Sequence, residues 1–417
     1  MNEHRTGKME NNKVFFSPYL RDKIHGKGPV DLIVGVLCKN VEHTILHVLN
    51  VINEGLHKHF PEYTKAIVVS DGFSSDRTVE LANLFQPYNG IKKLVVEDVV
   101  EGGKGAGVRT IIEVADEMDA KAIALLDGDL LSVKPEWIKE FMTPILFGRA
   151  ELVIPYYIRD KYDGVITNNL AYPFTRALYG FDIRQPLAGE FGISKRLYTM
   201  LMKHPLFPMD FGIDIFIVTS AIANNLSIKE GIYSIKIHES TTRYLEPETL
   251  LIPMFRQVTG KMFELATYYE NFWRNNIKPI RYMNHSDYFT QKPIPVTVDP
   301  GKMKKTFRRE FMSTRKMLKN YLPCDLVKDL EPIGKKIEDF TMDLWADSVY
   351  NFASSYKKLK RKTEKYVLLD TLKTLWFGRF TSFVIETADM NLNSAERIIQ
   401  QQAQIFEEKF EDCCQYF

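Results

Sequence analysis

The stretch that decides the fold is Ala122-Ile123-Ala124-Leu125-Leu126-Asp127-Gly128-Asp129. An apolar run that ends abruptly in two carboxylates is typical of a buried parallel strand reaching the carboxyl edge of its sheet. Asp127 and Asp129 are two residues apart, so on an extended chain they project to the same side, and Gly128 leaves room for a ligand. Such carboxylates suit Mg²⁺ or Mn²⁺, which holds phosphates. The alternative is an exposed Asp-Gly-Asp turn.

Three more apolar runs precede this stretch, and each is followed by a helical pattern. Strands are expected at 32–37, 66–69 and 93–96. Strands that alternate with helices predict right-handed βαβ units in a mostly parallel sheet. Because ligands bind beyond the carboxyl ends of such strands, functional groups are expected at that edge. The polar clusters at 39–42, 71–76, 101–105 and 127–129 would all lie there.

The glycine-rich segment 101–107 follows the third of these strands. It lacks the GxGxxG spacing of dinucleotide-binding folds, and Lys104 is neither preceded by GxxxxG nor followed by Ser or Thr as in a Walker A loop. Glycines with one lysine still suit contact with a phosphate or diphosphate. A glycine-rich turn with a solvated lysine is the alternative.

The chain divides into four regions by composition. A polar lead-in covers 1–29, an α/β domain 30–276, an extended proline-containing linker 277–302, and a helical region 303–417. Within the α/β domain we expect a fifth strand at 151–154, a helix at 163–178 interrupted by Pro173, a strand pair at 227–237 and a long helix from Pro247. Asn393 followed by Glu396 predicts a capping box for the last helix.

The bulk composition excludes several classes of function. The 417 residues carry 55 basic and 53 acidic side chains, a net charge of +2, which gives no electrostatic case for nucleic-acid binding. Four sparse cysteines favour a reducing cytoplasm. No apolar run reaches the roughly 18 residues that a membrane span needs. We therefore expect a soluble, cytoplasmic protein.

Several motifs together resemble the GT-A glycosyltransferases, and among these the retaining family of glucosyl-3-phosphoglycerate synthase and mannosylglycerate synthase. The shared motifs include Asp71-Gly72 with Asp76, Gly103-Lys104-Gly105 and the Asp127-Gly128-Asp129 element. More specific are Gln185-Pro186-Leu187-Ala188-Gly189-Glu190, Asp210-Phe211-Gly212-Ile213-Asp214 and His238. The resemblance covers about residues 30 to 275. It implies a Rossmann-like, mostly parallel sheet followed by a helical extension.

The resemblance also implies roles for individual residues. The nucleotide sugar would contact Asn40, Glu42, Asp71, Lys104, Asp127 and Gly128, while Asp129 and His238 would hold Mg²⁺ or Mn²⁺. Leu187, Glu190 and Asp214 would surround the transferred sugar. For His238 the alternative is a hydrogen-bonded histidine at a strand end, and for the two carboxylates it is a buried helix-capping role.

The segment 163–168 aligns with the part of the family that holds the acceptor. Gly164, Thr167 and Asn168, with Arg159 nearby, would bind a small anion such as 3-phosphoglycerate or glycerate. The family's arginine after this glycine is replaced by Val165, which departs from the phosphate-binding pattern. Arg159, Lys161, Arg176 and Arg184 supply cations, although each could form an ordinary surface ion pair.

The sequence therefore predicts a metal-dependent hexosyltransferase with a nucleoside-diphosphate-sugar donor and a small anionic acceptor. A sugar nucleotidyltransferase is the alternative enzyme class, although its glycine-rich loop would normally follow the first strand. A binding protein with a helical region and a relic transferase domain is the third reading. A homodimer is a further expectation, because the C-terminal helices would suit a dimer interface.

Overall fold

The computed structural model describes residues 18–238, 247–275 and 291–413. The chain forms two compact units, each assembled from separate stretches. Unit 1 comprises Met1–Val153 and Glu190–Ile213, and unit 2 comprises Ile154–Gly189 and Asp214–Phe417. The domain boundaries expected from the sequence run consecutively along the chain and stay a prediction.

Unit 1 is built on a sheet with helices between successive strands. Its strands are β1 (Leu32–Cys38), β2 (Lys65–Asp71), β3 (Ile91–Glu97), β4 (Ala122–Asp127), the start of β5 (Leu152–Ile158) and β6 (Phe191–Ser194). Its helices are α1 (Pro18–Ile24), α2 (Ile45–His59), α3 (Thr78–Leu84), α4 (Lys104–Glu117), α5 (Pro135–Leu146) and α7 (Lys195–Met202). Helix α6 (Tyr172–Tyr179) belongs to unit 2.

The strand order in unit 1 is β3-β2-β1-β4-β6, with β5 beside β6. Strands β1 to β4 are parallel, whereas β6 is antiparallel to both β4 and β5. Strands β1, β2 and β4 are almost fully buried because helices cover both faces of such a sheet. The predicted α/β fold with a mostly parallel, Rossmann-like sheet is confirmed.

Unit 2 contains the rest of β5, its neighbour β7 (Ile228–Ile235), a π-helix (Thr167–Ala171) and helices α6 (Tyr172–Tyr179) and α8 (Ile213–Ala223). Further along the chain it is helical. The helices are α9 (Pro247–Tyr268), α10 (Glu270–Asn275), α11 (Pro300–Leu318), α12 (Cys324–Leu330), α13 (Met342–Lys358), α14 (Lys362–Glu386) and α15 (Leu392–Cys413). Two short 3₁₀ turns lie between α12 and α13. The predicted C-terminal helical extension is confirmed.

Large apolar side chains form the core of unit 2. Phe255 of α9 stacks near Trp376 of α14, with ring centroids 4.9 Å apart. Phe174 of α6 lies between Phe263 and Tyr350. Each buried aromatic ring removes a large apolar area from water, so this cluster stabilises the unit.

Three local expectations were wrong. The strand pair at 227–237 is a single strand, β7. The helix expected at 163–178 is present over residues 165–179 and includes the π-helix, but Pro173 does not interrupt it, because it lies in the first turn of α6, where its missing N–H is harmless. The last helix begins at Leu392, and Asn391, not Asn393, caps it by accepting a hydrogen bond from the Ser394 N–H at 2.9 Å.

The linker expectation is only partly open to comparison. Residues 276–290 lie outside the described part of the chain, residues 291–299 form no helix or strand, and α11 already begins at Pro300. Among the described residues, no helix is both long enough and apolar enough to cross a membrane.

Candidate functional site

The carboxyl ends of β1, β2 and β4 meet at one edge of the sheet in unit 1. The strand register places Cys38 opposite Asp71 and Leu37 opposite Asp127. The chain continues this alignment past the strands, since the Gly72 N–H donates to the Cys38 carbonyl and the Gly128 N–H donates to the Leu37 carbonyl. Asp71 and Asp127, which the sequence assigned to a common edge, therefore lie on either side of the end of β1.

A group of four carboxylates surrounds the end of β1. Burial raises the pKa of the Cys38 thiol, and the charges of Asp71, Asp98, Asp127 and Asp129 raise it further. The register places Asp71 opposite Cys38 and Asp127 opposite Leu37, and the Asp98 N–H donates to the Asp71 carbonyl, so these three aspartates lie close to the end of β1. Such a concentration of acids calls for cations, and one of these is Lys104.

Asp71 ends β2 and is almost completely buried. Its Oδ2 accepts a hydrogen bond from the Ser74 N–H at 2.9 Å. Its Oδ1 is buried and has no hydrogen-bond partner among the described residues. Because an unsatisfied buried carboxylate oxygen is costly, a donor from a bound ligand would be a favourable partner for it.

Asn40 and Glu42 hold two loops of this edge together. Asn40 has a left-handed backbone conformation (φ 55°), and its Oδ1 accepts from the Ser75 N–H at 2.8 Å. The Glu42 carboxylate accepts from the Arg77 N–H at 3.0 Å. These bonds fix the loop after β2 against the loop after β1. We therefore expect Asn40 and Glu42 to influence a bound nucleotide by holding these two loops in place.

The glycine-rich segment has a structural reason that the sequence could not reveal. The N–H groups of Gly103 and Ala106 donate to the Met209 carbonyl, and that of Gly105 donates to the Asp210 carbonyl. A Cβ on Gly105 would lie 2.2 Å from the Pro208 carbonyl oxygen. The glycines thus allow the segment 208–210 to pack against the start of α4. Several of the N–H groups that could have met a phosphate already donate to carbonyls of this segment.

The Lys104 side chain remains at this edge. It occupies the first residue of α4, and its Nζ lies 2.9 Å from Oδ1 of Asp127. Both side chains are largely shielded from water, so their attraction is less screened than that of a surface pair. A lysine at a helix N-terminus gives a local excess of positive charge that suits a diphosphate.

The Asp127-Gly128-Asp129 element departs from the expected geometry. Strand β4 ends at Asp127, and the next two residues form a turn, so the extended-chain argument does not apply to Asp129. A Cβ on Gly128 would lie 2.8 Å from Sγ of Cys38 and 3.0 Å from the Leu37 carbonyl. Gly128 is therefore needed for packing against β1. Its carbonyl accepts from the Thr44 hydroxyl at 2.8 Å.

Asp98 is a site residue that the sequence reading missed. It directly follows β3, is buried, and its N–H donates to the Asp71 carbonyl at 3.0 Å. Burial raises the pKa of Asp98 to about 6, although a hydrogen bond from the Ser70 hydroxyl opposes the shift. The available signal was its position, because Asp98 follows an apolar strand just as Asp71 and Asp127 end theirs.

Glu190 and Asp214, two further predicted residues, lie in different units. Glu190, directly before β6 in unit 1, is fully buried. Asp214 lies in the first turn of α8 in unit 2 and is half-buried. The preceding Asp210 has the capping role expected for it, since its Oδ1 accepts from the Gly212 N–H at 2.9 Å.

Unit 2 contains a pocket that brings the predicted acceptor residues together. Arg159, Gly164, Thr167 and Asn168 all line it, and so does Leu187. Arg184, Glu396 and Ile399 are further lining residues, the last two from the C-terminal helix α15. Arg176, which the sequence placed among the nearby cations, is instead buried against Glu407 and does not line this pocket.

The π-helix forms one wall of this pocket. Thr167 and Asn168 begin it, and isolated π-turns of this kind are frequent at functional sites. Its carbonyl groups are held by C-terminal helices: the Trp345 indole donates to the Asn169 carbonyl at 2.6 Å, and the Gln402 amide donates to the Asn168 carbonyl at 3.2 Å. The helical region therefore holds the π-helix in place.

The Gln-Pro-Leu element is fixed to β5. The Gln185 amide donates to the Tyr157 carbonyl at 2.7 Å and accepts from the Tyr157 N–H at 3.2 Å. Near the end of the element, Gly189 has a φ of 100°, a backbone conformation that residues with a Cβ atom rarely adopt. The Ala188 carbonyl accepts from Lys236 Nζ at 2.9 Å. These contacts hold the Leu187 backbone at the pocket wall.

The predicted metal ligands lie in different units. Asp129 belongs to unit 1, and His238 belongs to unit 2, where it is half-buried three residues after β7. Within the described ranges, no group of three or more His, Cys, Asp or Glu side chains is arranged to hold a metal ion. The shared metal site of Asp129 and His238 stays a prediction.

Part of the chain matches the model of a known protein family. Residues 33–198 match the family model described as glycosyl transferase family 2. No curated protein matches the chain.

Among solved structures, the chain is similar to glucosyl-3-phosphoglycerate synthase from Mycobacterium tuberculosis. The complex with Mn²⁺, uridine diphosphate and glucosyl-3-phosphoglycerate is 23% identical, with 57% of this chain and 80% of that chain covered and a TM-score of 0.46. The complex with Mg²⁺ and uridine diphosphate is 22% identical, with 63% and 85% covered and the same TM-score. Similarity at this level does not bear on what this chain binds.

The family match extends from the second residue of β1 through β6 and into α7, and so includes every residue predicted to contact the nucleotide sugar. Together with the sheet order, it supports the resemblance drawn from the motifs. Residues 33–198 of this chain match glycosyl transferase family 2, and the sheet they form has the mostly parallel GT-A arrangement that the motifs predict.

Proposed function

We propose that the chain is a metal-dependent retaining glycosyltransferase that moves a glucose or mannose unit from a nucleoside-diphosphate sugar to a small anionic acceptor such as 3-phosphoglycerate or glycerate. The observation that carries the proposal is the group formed by Asp71, Lys104 and Asp127 at the carboxyl edge of the parallel sheet, within the family 2 match.

Asp71 is the proposed partner of the nucleoside. Its Oδ1 is buried and lacks a hydrogen-bond partner among the described residues, so it can accept from an N–H of the base or a ribose hydroxyl. Asn40 and Glu42 keep the loops around it in place. Buried acceptors of this kind discriminate between ligands, because a ligand without the matching donor leaves them unpaired.

Lys104 is the proposed partner of the diphosphate. Its ammonium group is held by Asp127 at the positive end of α4. Negative charge grows on the diphosphate as the bond to the sugar breaks, and a fixed cation stabilises that charge most strongly where water is excluded. Lys104 would thereby lower the barrier to departure of the nucleoside diphosphate.

A divalent cation, Mg²⁺ or Mn²⁺, fits the chemistry of this edge. Asp127 and Asp129 present carboxylate oxygens, which these hard cations prefer. Asp129 and, by the family resemblance, His238 would hold the ion, with Asp127 in support. When bound, it would supply charge neutralisation for the leaving diphosphate.

Leu187, Glu190 and Asp214 are the proposed contacts of the transferred sugar. The Leu187 backbone lies beside the acceptor pocket, and the hydrogen bonds of Gln185 fix it there. In a front-face reaction, the acceptor hydroxyl attacks the anomeric carbon from the side the diphosphate leaves, and a leaving diphosphate oxygen takes its proton. Retention then needs no carboxylate nucleophile.

A donor-by-acceptor screen tests the proposal. Uridine, guanosine and adenosine diphosphate sugars would each be incubated with Mg²⁺ or Mn²⁺ and either acceptor, and nucleoside diphosphate release would be measured. We expect release with at least one pair, with the anomeric configuration retained. Release of pyrophosphate would identify a nucleotidyltransferase instead, and no release with any hexose donor, hydrolysis included, would refute the transferase assignment.

We also propose an oligomeric state and a cellular location. A homodimer through the C-terminal helices can be tested by light scattering of the purified chain. A cytoplasmic location can be tested by fractionation of cells that express it.

A further inference from the structure

We infer that Glu396, on the C-terminal helix α15, is a specificity-determining residue that disfavours acceptors carrying a phosphate group in addition to a carboxylate. This inference rests on the proposed function, because it assigns the pocket of unit 2 to the acceptor. It follows from how the three cationic side chains lining that pocket are already engaged.

The first cation, Arg184, is committed to Glu396. Its Nε lies 2.7 Å from Oε1 of Glu396, and its Nη2 lies 2.8 Å from Oε2, a two-point pair. The same Nη2 donates to Oδ1 of Asn168 at 2.9 Å. Arg184 is almost completely buried, so Glu396 neutralises a charge that would otherwise be the strongest anion-binding group in the pocket.

The second cation, Lys161, is used within the fold. Its Nζ donates to the carbonyls of Thr387 and Met390 at 2.6 and 2.7 Å, and to that of Ala388 at 3.2 Å. These carbonyls belong to the segment that connects α14 to α15. An ammonium group has three donors, and all three are occupied by the turn that leads into the helix bearing Glu396.

The third cation, Arg159, is the least engaged of the three. Its Nη2 donates to the Ala188 carbonyl at 3.4 Å, its Nη1 lies 3.9 Å from Asp163, and its buried Nε has no hydrogen-bond partner among the described residues. Nη1 of Arg184 is likewise buried without a hydrogen-bond partner among the described residues, but Glu396 holds that side chain in a two-point pair, so Arg159 is the guanidinium group left to meet one carboxylate.

The charge of the pocket follows from the same side chains. Arg159, Lys161 and Arg184 are balanced by Asp160, Asp163 and Glu396, so the lining has no net formal charge. A phosphate ester would bring a charge of about −1.5 to −2 at neutral pH in addition to the carboxylate. Glu396 and Asp163 would repel this extra negative charge. Release of Arg184 from Glu396 would supply a positive charge to compensate for it.

The variant Glu396→Gln tests the inference, because it removes the carboxylate and frees Arg184 for a ligand. The two probes are glycerate and 3-phosphoglycerate, which differ only in the phosphate. Dissociation constants for both would be measured by calorimetry with the full chain, alongside nucleoside diphosphate release from the donor. We expect the wild type to favour glycerate, and Glu396→Gln to shift the ratio of the two constants toward 3-phosphoglycerate by roughly tenfold or more.

The matched control is Glu407→Gln on the same helix. Glu407 also pairs with a buried arginine, Arg176, at 2.6 Å, but does not line the pocket. It therefore reproduces the loss of one carboxylate from a buried arginine, although Asp182 stays 3.4 Å from Arg176, and thermal unfolding of both variants would measure the accompanying change in stability. We expect Glu407→Gln to leave the ratio of the two dissociation constants unchanged.

The outcomes separate the inference from the proposed function. If the donor is turned over but Glu396→Gln leaves the ratio unchanged, or shifts it no more than Glu407→Gln does, the role of Glu396 is refuted and the transferase assignment stands. If the ratio shifts as expected but no donor is turned over, the role of Glu396 stands and the transferase assignment falls. Failure of the wild type to bind either probe would overturn the inference.

Discussion

The Lys104 ammonium lies 2.9 Å from the Asp127 carboxylate, at the point where α4 begins and β4 ends. If Lys104 faces the diphosphate, Lys104→Met should raise the KM for the donor and lower kcat, with a combined loss of about 10²-fold in kcat/KM. Steady-state kinetics of nucleoside diphosphate release would measure this loss.

Lys121→Met is the control for that variant. Lys121 lies just before β4, at the opposite end of the strand, and pairs with Asp31 at 2.7 Å on the surface. Its removal should leave kcat/KM within about twofold of the wild-type value, since exposed pairs contribute little. Equal losses in both variants would contradict the assignment of Lys104.

Gly105→Ala tests the close approach of the segment 208–210 to α4. The added Cβ would lie 2.2 Å from the Pro208 carbonyl oxygen and 2.8 Å from the Met209 carbonyl carbon, so the backbone of one segment must move. We expect a loss of about 1–3 kcal/mol in the free energy of unfolding, measured by urea denaturation. Gly231→Ala, where the added Cβ meets nothing within 4 Å, should not show this loss.

The carboxyl group of Asp98 should make stability depend on pH. Its pKa in the folded protein is about 6, against 3.8 for the unfolded reference, because burial and then the Asp71 charge disfavour the ionised form. Ionisation therefore weakens the fold: the penalty is absent below pH ~4, grows as the pH rises toward 6, and is complete above that. Asp98→Asn removes it and should stabilise the protein by about 1–3 kcal/mol at pH 7.5.

The measurement for Asp98 is the difference in unfolding free energy between variant and wild type at several pH values. That difference should increase from pH 4 to pH 7.5. Asp22→Asn, at an exposed position in α1, provides the control for the general effect of an Asp-to-Asn substitution. A difference for Asp98→Asn that does not vary with pH would show that this carboxyl group titrates normally.

Trp345→Phe tests whether the C-terminal helices position the acceptor segment. The Trp345 indole donates to the Asn169 carbonyl of the π-helix, and the variant loses this bond while keeping an aromatic ring. We expect a several-fold rise in the KM for the acceptor and no change in the KM for the donor. Trp273→Phe removes a comparable bond to the Ala266 carbonyl and should leave both values unchanged. A rise in both KM values for Trp345→Phe would argue for a general loss of structure.

The parallel sheet could be predicted because its information is local. An apolar run that ends in Asp71 or Asp127 carries its own evidence of burial and of the edge where it ends. Asp98 offered the same signal and was overlooked. The motif at 163–168 grouped Gly164, Thr167 and Asn168, and these residues line one pocket, while their role in binding an acceptor stays a prediction.

Contacts between partners that are distant in sequence could not be predicted. The glycines near Lys104 suit contact with a phosphate, and Gly105 also accommodates a carbonyl about a hundred residues away. Glu396 was interpreted as part of a helix cap, but its partner is Arg184, 212 positions earlier. Local patterns cannot distinguish these cases, because a cap and a buried ion pair both use the same carboxylate.

The central claim is that the carboxyl edge of the parallel sheet binds a nucleoside diphosphate together with a divalent cation. Titration calorimetry of uridine, guanosine and adenosine diphosphate against the wild-type protein and Asp129→Ala, with Mn²⁺ or with a chelator, tests it most directly. We predict that at least one nucleoside diphosphate binds, that chelation abolishes the binding, and that Asp129→Ala weakens it at least tenfold. Absence of binding by all three, or binding indifferent to both metal and Asp129, would contradict the account.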